Sequence, residues 1–264
     1  MKDYKGVVFF DYDGTLIDEV DGIFELPDSA KEALSKLRAN GYATCVCSGR
    51  TKQMSEAVKE FFDGYVTGAG AYCEIDEETV VSIEITPEEI EAMREICAKR
   101  NVVMLMDGES QSYCDGIGTK IYDFFKYVFD VQDHWVQPWD TEGKCKINKL
   151  TFMYENPEDA EYVRENFEEI LELAKHIRYT FTDATPKGVD KGTGIEAMIK
   201  YMGLTKDDSY CFGDGDNDLP MVKVVGHPVI MGRHFAGLEP YAEFTTDLVK
   251  NDGIKKGLEH LGLI

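Results

Sequence analysis

The chain has 264 residues, 43% of them hydrophobic, which suits one large globular domain carrying a smaller one. Its 50 acidic residues against 28 basic ones give a formal net charge of −22, and such a surface repels nucleic-acid backbones and anionic membranes. No run reaches the roughly 18 apolar residues of a membrane span and no export signal is recognised, so we expect a cytoplasmic protein with neither nucleic acid nor membrane as a partner.

The seven cysteines form no CxxC pair, and most lie in apolar runs, where cysteine behaves as a small core residue. We therefore expect reduced thiols, in keeping with the cytoplasm. The five histidines show no ligand spacing relative to the cysteines, which argues against structural zinc.

The N-terminal part of the chain alternates short apolar runs with amphipathic stretches. Unbroken β-branched and aromatic runs are typical of strands buried on both faces, and the amphipathic stretches have helical spacing. The predicted elements are strands at 6–10, 42–47 and 65–66 and helices at 27–40 and 52–62. This order predicts an α/β fold with a parallel, doubly wound sheet and right-handed crossovers.

The pattern changes near residue 80 and returns near residue 190. Between these points we predict strands at 80–85, 102–106, 147–154 and 177–181 and long helices at 87–100 and 157–174. After them we predict a helix at 191–202 and strands at 209–212 and 229–231. The chain is thus predicted to form a discontinuous core, residues 1–81 and 183–264, interrupted by an inserted α+β domain, residues 82–182.

Two aspartates follow the first predicted strand, in the run DYDGTL at 11–16. Residues two apart on an extended chain point the same way, so Asp11 and Asp13 can face one site beyond the strand's carboxyl end, where open α/β sheets bind ligands. Gly14 permits a sharp turn, and Thr15 offers a hydroxyl and an amide to phosphoryl oxygens. Two close carboxylates repel each other unless a cation joins them. The alternative is an ordinary Asp-Gly surface turn.

A hydroxyl and a lysine stand at two further element ends. Ser48, followed by Gly49, comes after the second predicted strand, where its hydroxyl can donate to a phosphoryl oxygen; taken alone, it reads more simply as a helix cap. Lys191 opens a predicted helix, where a cation opposes the helix dipole and needs a compensating partner. Taken alone, it reads as a solvated surface charge.

The run GDGDND at 213–218 follows a predicted buried strand and gathers four carboxylate or amide side chains in five residues. Such a group is hard to keep together without a cation. A calcium EF-hand loop starting at Asp214 is excluded, because its required glycine would be Leu219 and its twelfth-position glutamate would be Val225. A solvent-exposed turn remains the alternative.

These four runs, in this order, resemble the motifs of the haloacid dehalogenase (HAD) superfamily, whose first motif reads DxDGT. The run GVDKG at 188–192 and the position of the insert resemble the Cof-type branch, and the resemblance covers nearly the whole chain. It implies a Rossmann-like core with the insert as a cap. It also implies that Asp11 attacks phosphorus to form an aspartyl-phosphate, that Asp13 acts as general acid and then base, and that Lys191 neutralises the transferring phosphoryl group.

The resemblance also implies the remaining ligands of the site. The residues implied to contact phosphate are Thr15, Ser48, Gly49 and Asn217. The implied metal ligands are Asp11, Asp214 and the backbone carbonyl of Asp13. Asp218 is implied either to bind the metal directly or to support its ligands without touching it. Hard oxygen donors without a soft ligand nearby favour Mg²⁺ as the cofactor.

Two runs depart from the Cof-type pattern. TGAG at 67–70 stands where that branch usually reads Asn-Gly-Ala, and MGRH at 231–234 stands where it usually reads Met-Gly-Asn-Ala. Arg233 and His234 could help bind an extra phosphate or could belong to a solvated loop. Substrate choice is expected to lie in the cap, whose polar candidates are Asp107, Asp115, Lys120 and Lys149.

The predicted function is hydrolysis of small phosphorylated metabolites, such as sugar phosphates, nucleotides or cofactor phosphates, by a monomer or homodimer. One alternative is a phosphosugar mutase resembling phosphomannomutase. Another is a non-catalytic phosphosugar-binding protein, which should have lost at least one reactive group. It is disfavoured because Asp11, Asp13, Lys191 and Asp214 are all present.

Overall fold

The computed structural model of the protein describes residues 2–140, 145–176 and 179–264. The α-helices are α1 (Asp28–Ala39), α2 (Pro87–Cys97), α3 (Lys120–Val128), α4 (Asp159–Phe167), α5 (Lys191–Tyr201), α6 (Leu219–Val224) and α7 (Gly253–His260). The strands are β1 (Gly6–Phe10), β2 (Tyr42–Cys47), β3 (Gly64–Thr67), β4 (Tyr72–Ile75), β5 (Glu78–Ser82), β6 (Val103–Gly108), β7 (Ser112–Cys114), β8 (Val136–Pro138), β9 (Ile147–Met153), β10 (Leu171–Lys175), β11 (Phe181–Pro186), β12 (Ser209–Gly213), β13 (His227–Ile230) and β14 (Phe244–Thr245). Within these described ranges, no helix is both long and apolar enough to cross a membrane.

The chain divides into two compact units. The first contains the residues up to Arg50, then Ser55–Val81 and Asp190–Ile264. The second contains Thr51–Met54 and Ser82–Val189, so it extends beyond the insert predicted at 82–182.

The first unit is built on an eight-stranded sheet in the order β14-β13-β12-β1-β2-β3-β4-β5. From β14 to β3 each neighbouring pair is parallel, and β4 pairs antiparallel with β3. Strand β1 lies near the middle of the sheet and all five of its residues are buried, as its unbroken apolar run predicts. The predicted α/β fold class is therefore confirmed.

Helices cover both faces of this sheet. Because side chains alternate along β1, Val8 and Phe10 belong to one apolar cluster and Val7 and Phe9 to another. The first cluster includes buried residues of α1 and α7, and the second includes buried residues of α5 and α6. The sheet is thus doubly wound, and its carboxyl edge is where the loops after β1, β2 and β12 come together.

The second unit has a six-stranded sheet in the order β10-β11-β9-β6-β7-β8. All of its neighbouring pairs are antiparallel except β7 and β8, which are parallel. Residues of α2 and α4 pack in one apolar cluster with Met104, Leu150 and Phe152, whereas α3 packs in another with Leu105 and Phe181. This is an α+β arrangement with helices on both faces of the sheet.

One element prediction in this unit is wrong, and another falls partly outside the described residues. The helix predicted at 157–174 ends at Phe167, and Leu171–Lys175 forms β10 instead, antiparallel to β11. The run EEILELAK keeps a helical pattern after Phe167, but pairing with β11 satisfies its backbone groups in another way. The strand predicted at 177–181 falls partly outside the described residues, which leave out 177–178, and the described strand β11 begins at Phe181.

Several helical segments also differ from expectation. Helices α3, α6 and α7 have no predicted counterparts, although Thr119 caps α3 by accepting a hydrogen bond from the Tyr122 amide at 3.4 Å. The helix predicted at 52–62 is a 3-10 helix, Gln53–Phe61. All seven cysteines lie in the described residues and are unpaired, and six of them are buried, in agreement with reduced thiols.

We expect Leu37→Ala to lower the free energy of unfolding by about 2–5 kcal/mol, because Leu37 of α1 is fully buried against the sheet and alanine leaves a cavity. Urea denaturation measures this change. The control is Glu32→Ala on an exposed position of the same helix, which should change stability by no more than about 0.5 kcal/mol. Equal effects of the two variants would contradict the proposed packing.

Candidate active site

Three loops meet at the carboxyl edge of the core sheet. Asp11 directly follows β1, Ser48 directly follows β2, and Asp214 directly follows β12. These strands are adjacent and parallel, and the Asp11 amide still donates to the Phe212 carbonyl oxygen at 2.9 Å. Sheet topology therefore brings together residues that are far apart in the sequence.

Lys191 is the first residue of α5 and lies between two carboxylates. Its Nζ is 2.6 Å from Asp11 Oδ1 and 2.6 Å from Asp218 Oδ1, and only 1% of its side chain is exposed. Burial alone would lower the pKa of Lys191, but the attraction of Asp11 and Asp218 outweighs it and raises the pKa well above its usual value. Lys191 is therefore a buried ammonium group whose charged form is favoured by its two partners.

Three carboxylates crowd around this single cation. Oxygens of Asp11, Asp214 and Asp218 all lie within 4.8 Å of one another. Burial and repulsion from Asp218 raise the pKa of Asp11 to about 7, although Lys191 opposes the shift. Burial and repulsion from Asp11 raise the pKa of Asp214 to about 9. The set is oxygen-only and has more negative than positive charge, so its donor chemistry fits a hard divalent cation such as Mg²⁺.

Asp218 uses both carboxylate oxygens in contacts with the protein. While Oδ1 accepts from Lys191, Oδ2 accepts from the amides of Asp214 at 2.8 Å and Gly215 at 3.0 Å. Asp218 is fully buried and therefore fixes the loop after β12 onto the lysine. Asn217 lies on the exposed side of the 3-10 helix Asp216–Asp218.

The turn after β1 packs directly against the Asp214 side chain. Thr15 is buried, and its hydroxyl donates to Asp214 Oδ1 at 2.9 Å. Gly14 has a φ of 86°, and a Cβ placed there would lie 2.1 Å from Asp214 Oδ2. The glycine of the first motif is thus required both by its left-handed backbone and by the close approach of the metal-ligand candidate.

Asp13 is held by an arginine whose role the sequence analysis missed. Arg50 Nε donates to Asp13 Oδ2 at 2.9 Å and Nη2 donates to Asp13 Oδ1 at 2.6 Å. The Arg50 amide donates to Ser48 Oγ at 3.0 Å. The sequence signal was the run SGR at 48–50, which stands where the resembled branch usually reads Thr-Gly-Arg, but no role was assigned to its arginine.

The predicted site residues are thus joined to different extents. A continuous set of contacts links Asp11, Thr15, Lys191, Asp214 and Asp218. Arg50 joins Asp13 to Ser48, which is buried. Gly49 and Asn217 adjoin these residues in the chain, and a Cβ added at Gly49 would meet no atom within 4 Å.

The first unusual run, TGAG at 67–70, supports the start of α5. Gly70 has a φ of 101°, and a Cβ there would lie 2.0 Å from the carbonyl oxygen of Asp190. Asp190 caps α5 by accepting from the Thr193 amide at 2.8 Å. Gly70 therefore lets this turn approach the residue that precedes Lys191.

The second unusual run does not offer free cations. Arg233 Nη1 is 2.7 Å from Asp18 Oδ2, and Nη2 is 2.9 Å from Asp21 Oδ2. The His234 ring contacts the Met231 carbonyl oxygen through Nδ1 at 2.6 Å. The Arg233 contacts tie the loop after β13 to the segment after β1, so the run is more than a purely solvated loop.

Of the four polar residues proposed to select substrates, Asp107 and Lys149 contact each other, whereas Asp115 and Lys120 lie apart from that pair. Lys149 is buried, with Nζ 3.5 Å from Asp107 Oδ2 and 2.8 Å from Asp183 Oδ1. Asp115 accepts from the Met104 amide at 2.8 Å, whereas Lys120 is exposed at the start of α3. Asp107 and Lys149 are therefore mutual partners within the unit.

Comparisons with known proteins agree on a single family. A family model described as haloacid dehalogenase-like hydrolase matches residues 8–258. The chain is 26% identical over 98% of both chains to the protein named "Putative phosphatase YkrA" from Bacillus subtilis (strain 168). It is 21% identical to the 5-amino-6-(5-phospho-D-ribitylamino)uracil phosphatase YitU of the same organism, over 96% of both chains.

Solved structures give the same result. A hypothetical protein from Geobacillus kaustophilus HTA426 superposes with a TM-score of 0.86 at 29% identity, covering 98% of this chain and 99% of that one. The HAD subclass IIB sugar phosphatase BT4131 superposes with a TM-score of 0.82 at 28% identity, covering 98% of this chain and 100% of that one.

Fold and site together define an enzyme with a Rossmann-like α/β core and an acidic, lysine-centred site at the sheet's carboxyl edge. The chain belongs to the haloacid dehalogenase-like hydrolases, since the family model spans nearly its whole length. The superfamily and the Cof-type branch predicted from the four motifs are confirmed.

We expect Lys191→Met to lower the free energy of unfolding at neutral pH by about 3–5 kcal/mol, because it leaves two buried carboxylates without their cation. Urea denaturation in metal-free buffer measures the effect. Lys200→Met, on an exposed position of the same helix, is the control and should stay within about 0.5 kcal/mol of wild type. An unchanged free energy of unfolding in Lys191→Met would contradict the compensating role of the lysine.

Proposed function

We propose that this hydrolase is a Mg²⁺-dependent phosphatase that hydrolyses small phosphorylated metabolites through an aspartyl-phosphate on Asp11. The observation that carries the proposal is the 2.6 Å contact between Lys191 Nζ and Asp11 Oδ1 inside a buried carboxylate cluster. A nucleophilic carboxylate needs a nearby cation to approach an anionic phosphoryl group without repulsion. Lys191 supplies that charge from the start of α5.

The proposed reaction has two balanced steps. In the first, an Asp11 oxygen forms a bond to phosphorus, the bond from phosphorus to the leaving oxygen breaks, and the carboxylic acid of Asp13 gives its proton to that oxygen. In the second, the Asp13 carboxylate takes a proton from water, whose oxygen bonds to phosphorus as the Asp11–phosphorus bond breaks. Inorganic phosphate leaves and both aspartates return to their starting states.

The proposed metal ligands are taken from the family resemblance and are consistent with the contacts within the protein. Side-chain oxygens of Asp11 and Asp214 and the carbonyl of Asp13 would hold Mg²⁺, which when bound neutralises charge on the phosphoryl oxygens. Asp218 would support the site without binding the metal, because both of its oxygens already accept hydrogen bonds from the protein. Of the two roles predicted for Asp218, direct metal ligand or indirect support, we therefore propose the second.

Phosphate contacts divide between side chains and backbone. Ser48 Oγ accepts from the Arg50 amide, which leaves the hydroxyl proton of Ser48 to donate to a phosphoryl oxygen. The Thr15 hydroxyl is bonded to Asp214, so we assign its phosphate contact to the backbone amide. Gly49 and Asn217 complete the proposed set, Asn217 from the exposed side of its loop.

The substrate class rests on the relatives as well as the site. One similar solved structure is named as a sugar phosphatase, and one relative is named as a phosphatase of a phosphoribitylamino-uracil. Both names describe substrates that are small polar metabolites. We propose the same broad class here, with the second unit providing selection among substrates. The cytoplasmic location and the monomeric or homodimeric state stay predictions.

We expect Asp11→Asn to fold normally and to lose phosphate release by a factor on the order of 10³ or more, because the amide cannot act as the attacking carboxylate. The measurement is a phosphate-release screen over sugar phosphates, nucleotides and cofactor phosphates. Asp28→Asn, whose side chain is 93% exposed at the start of α1, is the matched control. Wild-type-like turnover by Asp11→Asn would rule out the covalent mechanism, and sugar isomerisation stimulated by a sugar bisphosphate would indicate the mutase instead.

We expect Mg²⁺ to raise the melting temperature of the metal-stripped protein and to restore phosphate release after chelation, because it binds the folded site preferentially. Asp214→Asn should lose both responses while folding normally. Thermal unfolding with and without Mg²⁺ measures the first response independently of catalysis. An unchanged Mg²⁺ shift in Asp214→Asn would remove Asp214 from the proposed ligand set.

A further inference from the structure

We propose that Arg50 is a positioning residue that orients the Asp13 carboxyl group for proton transfer to the leaving oxygen. The inference rests on the proposed phosphatase function and adds to it a residue outside the predicted site. It starts from the two-pronged contact in which the Nε and Nη2 of Arg50 each bind a different oxygen of Asp13, at 2.9 and 2.6 Å.

This contact fixes an orientation as well as a distance. A planar guanidinium group that binds both oxygens of a carboxylate holds the two planes together, which a single point charge cannot do. Each Asp13 oxygen keeps a further lone-pair direction for another partner. The Asp13 side chain is 43% exposed, against 6% for Asp11, so the oriented group remains accessible to a ligand.

Arg50 is itself held from several sides. Its side chain is only 14% exposed, and its guanidinium carbon lies 5.2 Å from the centre of the Tyr12 ring. Nη2 also donates to Glu19 Oε1 at 3.0 Å, and the backbone amide donates to Ser48 Oγ. Burying a charged side chain is unfavourable unless it is paired, so these contacts favour one fixed position. Arg50 thereby connects the end of β2 to the turn that carries Asp13.

The same contacts commit the Nε and Nη2 donors of Arg50 to carboxylates. Both donors that face Asp13 are occupied, and Nη2 is shared with Glu19. A phosphate could take them only by breaking the two-pronged contact. Positioning of Asp13 uses the arrangement as it stands.

Leaving groups that differ in their need for a proton can test this role. When the phosphorus–oxygen bond of an alkyl phosphate breaks, the proton of Asp13 must move to the alkoxide oxygen. p-Nitrophenolate is a stable anion and departs without that proton. A residue that acts only by orienting Asp13 should therefore matter for the first substrate much more than for the second.

The experiment compares kcat/KM for glycerol phosphate and p-nitrophenyl phosphate in wild type, Arg50→Gln and Arg50→Lys. This ratio covers the steps up to departure of the leaving group. We expect Arg50→Gln to lose on the order of 10²-fold with glycerol phosphate and only a few-fold with p-nitrophenyl phosphate, within the range of general acid catalysis. Arg50→Lys should resemble Arg50→Gln, because lysine keeps the charge but cannot make the two-pronged contact.

Arg38 provides a matched control in the same unit. Its Nε and Nη2 bind the two oxygens of Asp63 at 3.1 and 3.0 Å, an equivalent contact outside the carboxylate cluster. Arg38→Gln should leave the ratio between the two substrates unchanged even if it lowers the melting temperature. A changed ratio in Arg38→Gln would show that general destabilisation produces the signal, and would overturn the inference.

Other outcomes have distinct meanings. Equal losses for both substrates, a change confined to KM, or full rescue by Arg50→Lys would each overturn the positioning role. If wild type releases phosphate and Asp11→Asn does not, such results remove only the role of Arg50. If wild type releases phosphate from neither ester nor from any member of the metabolite screen, the proposed function fails and the inference fails with it.

Discussion

The rest of the site depends on the two ion pairs that the ammonium group of Lys191 makes with Asp11 and Asp218. Carboxylates that are 0–4% exposed cannot stay ionised beside one another without a cation. Lys191 supplies one positive charge at a helix start, where the backbone dipole disfavours it, so the acids and the lysine stabilise one another. The position of α5 is set in turn by close backbone approaches at Gly70 and Gly194 that no larger residue allows.

The segment that follows β1 connects several residues of the candidate site. In its turn, the Thr15 hydroxyl donates to Asp214, and Asp13 accepts hydrogen bonds from Arg50, which follows β2. Farther along, Asp18 and Asp21 pair with Arg233 from the loop after β13. One short stretch of chain is thus fixed by three loops of the same sheet edge. Such over-determination is what a site needs if reacting groups are to be held within a fraction of an ångström.

The second unit contains a separate charge network on neighbouring strands, formed by the buried Asp107 and Lys149 and the partly exposed Asp183. Burial would raise the pKa of Asp183, but Lys149 and His176 outweigh it and hold the pKa well below its usual range. For Asp107, burial prevails over Lys149 and the pKa is raised. The network joins β6, β9 and β11 across the sheet, and removing Lys149 would leave the buried Asp107 carboxylate without its cation.

The sequence by itself determined the superfamily, the doubly wound core and the residues of the carboxylate cluster. Short apolar strands each followed by polar residues leave few alternatives, because parallel strand ends must meet at one edge. Tertiary structure alone decided that residues 171–175 form a strand, since the locally helical run EEILELAK is overruled by pairing with β11. It alone decided that Arg50 grips Asp13 and that Thr15 binds Asp214, because side-chain pairings across 37 and 199 residues depend on strand order and have no local signal.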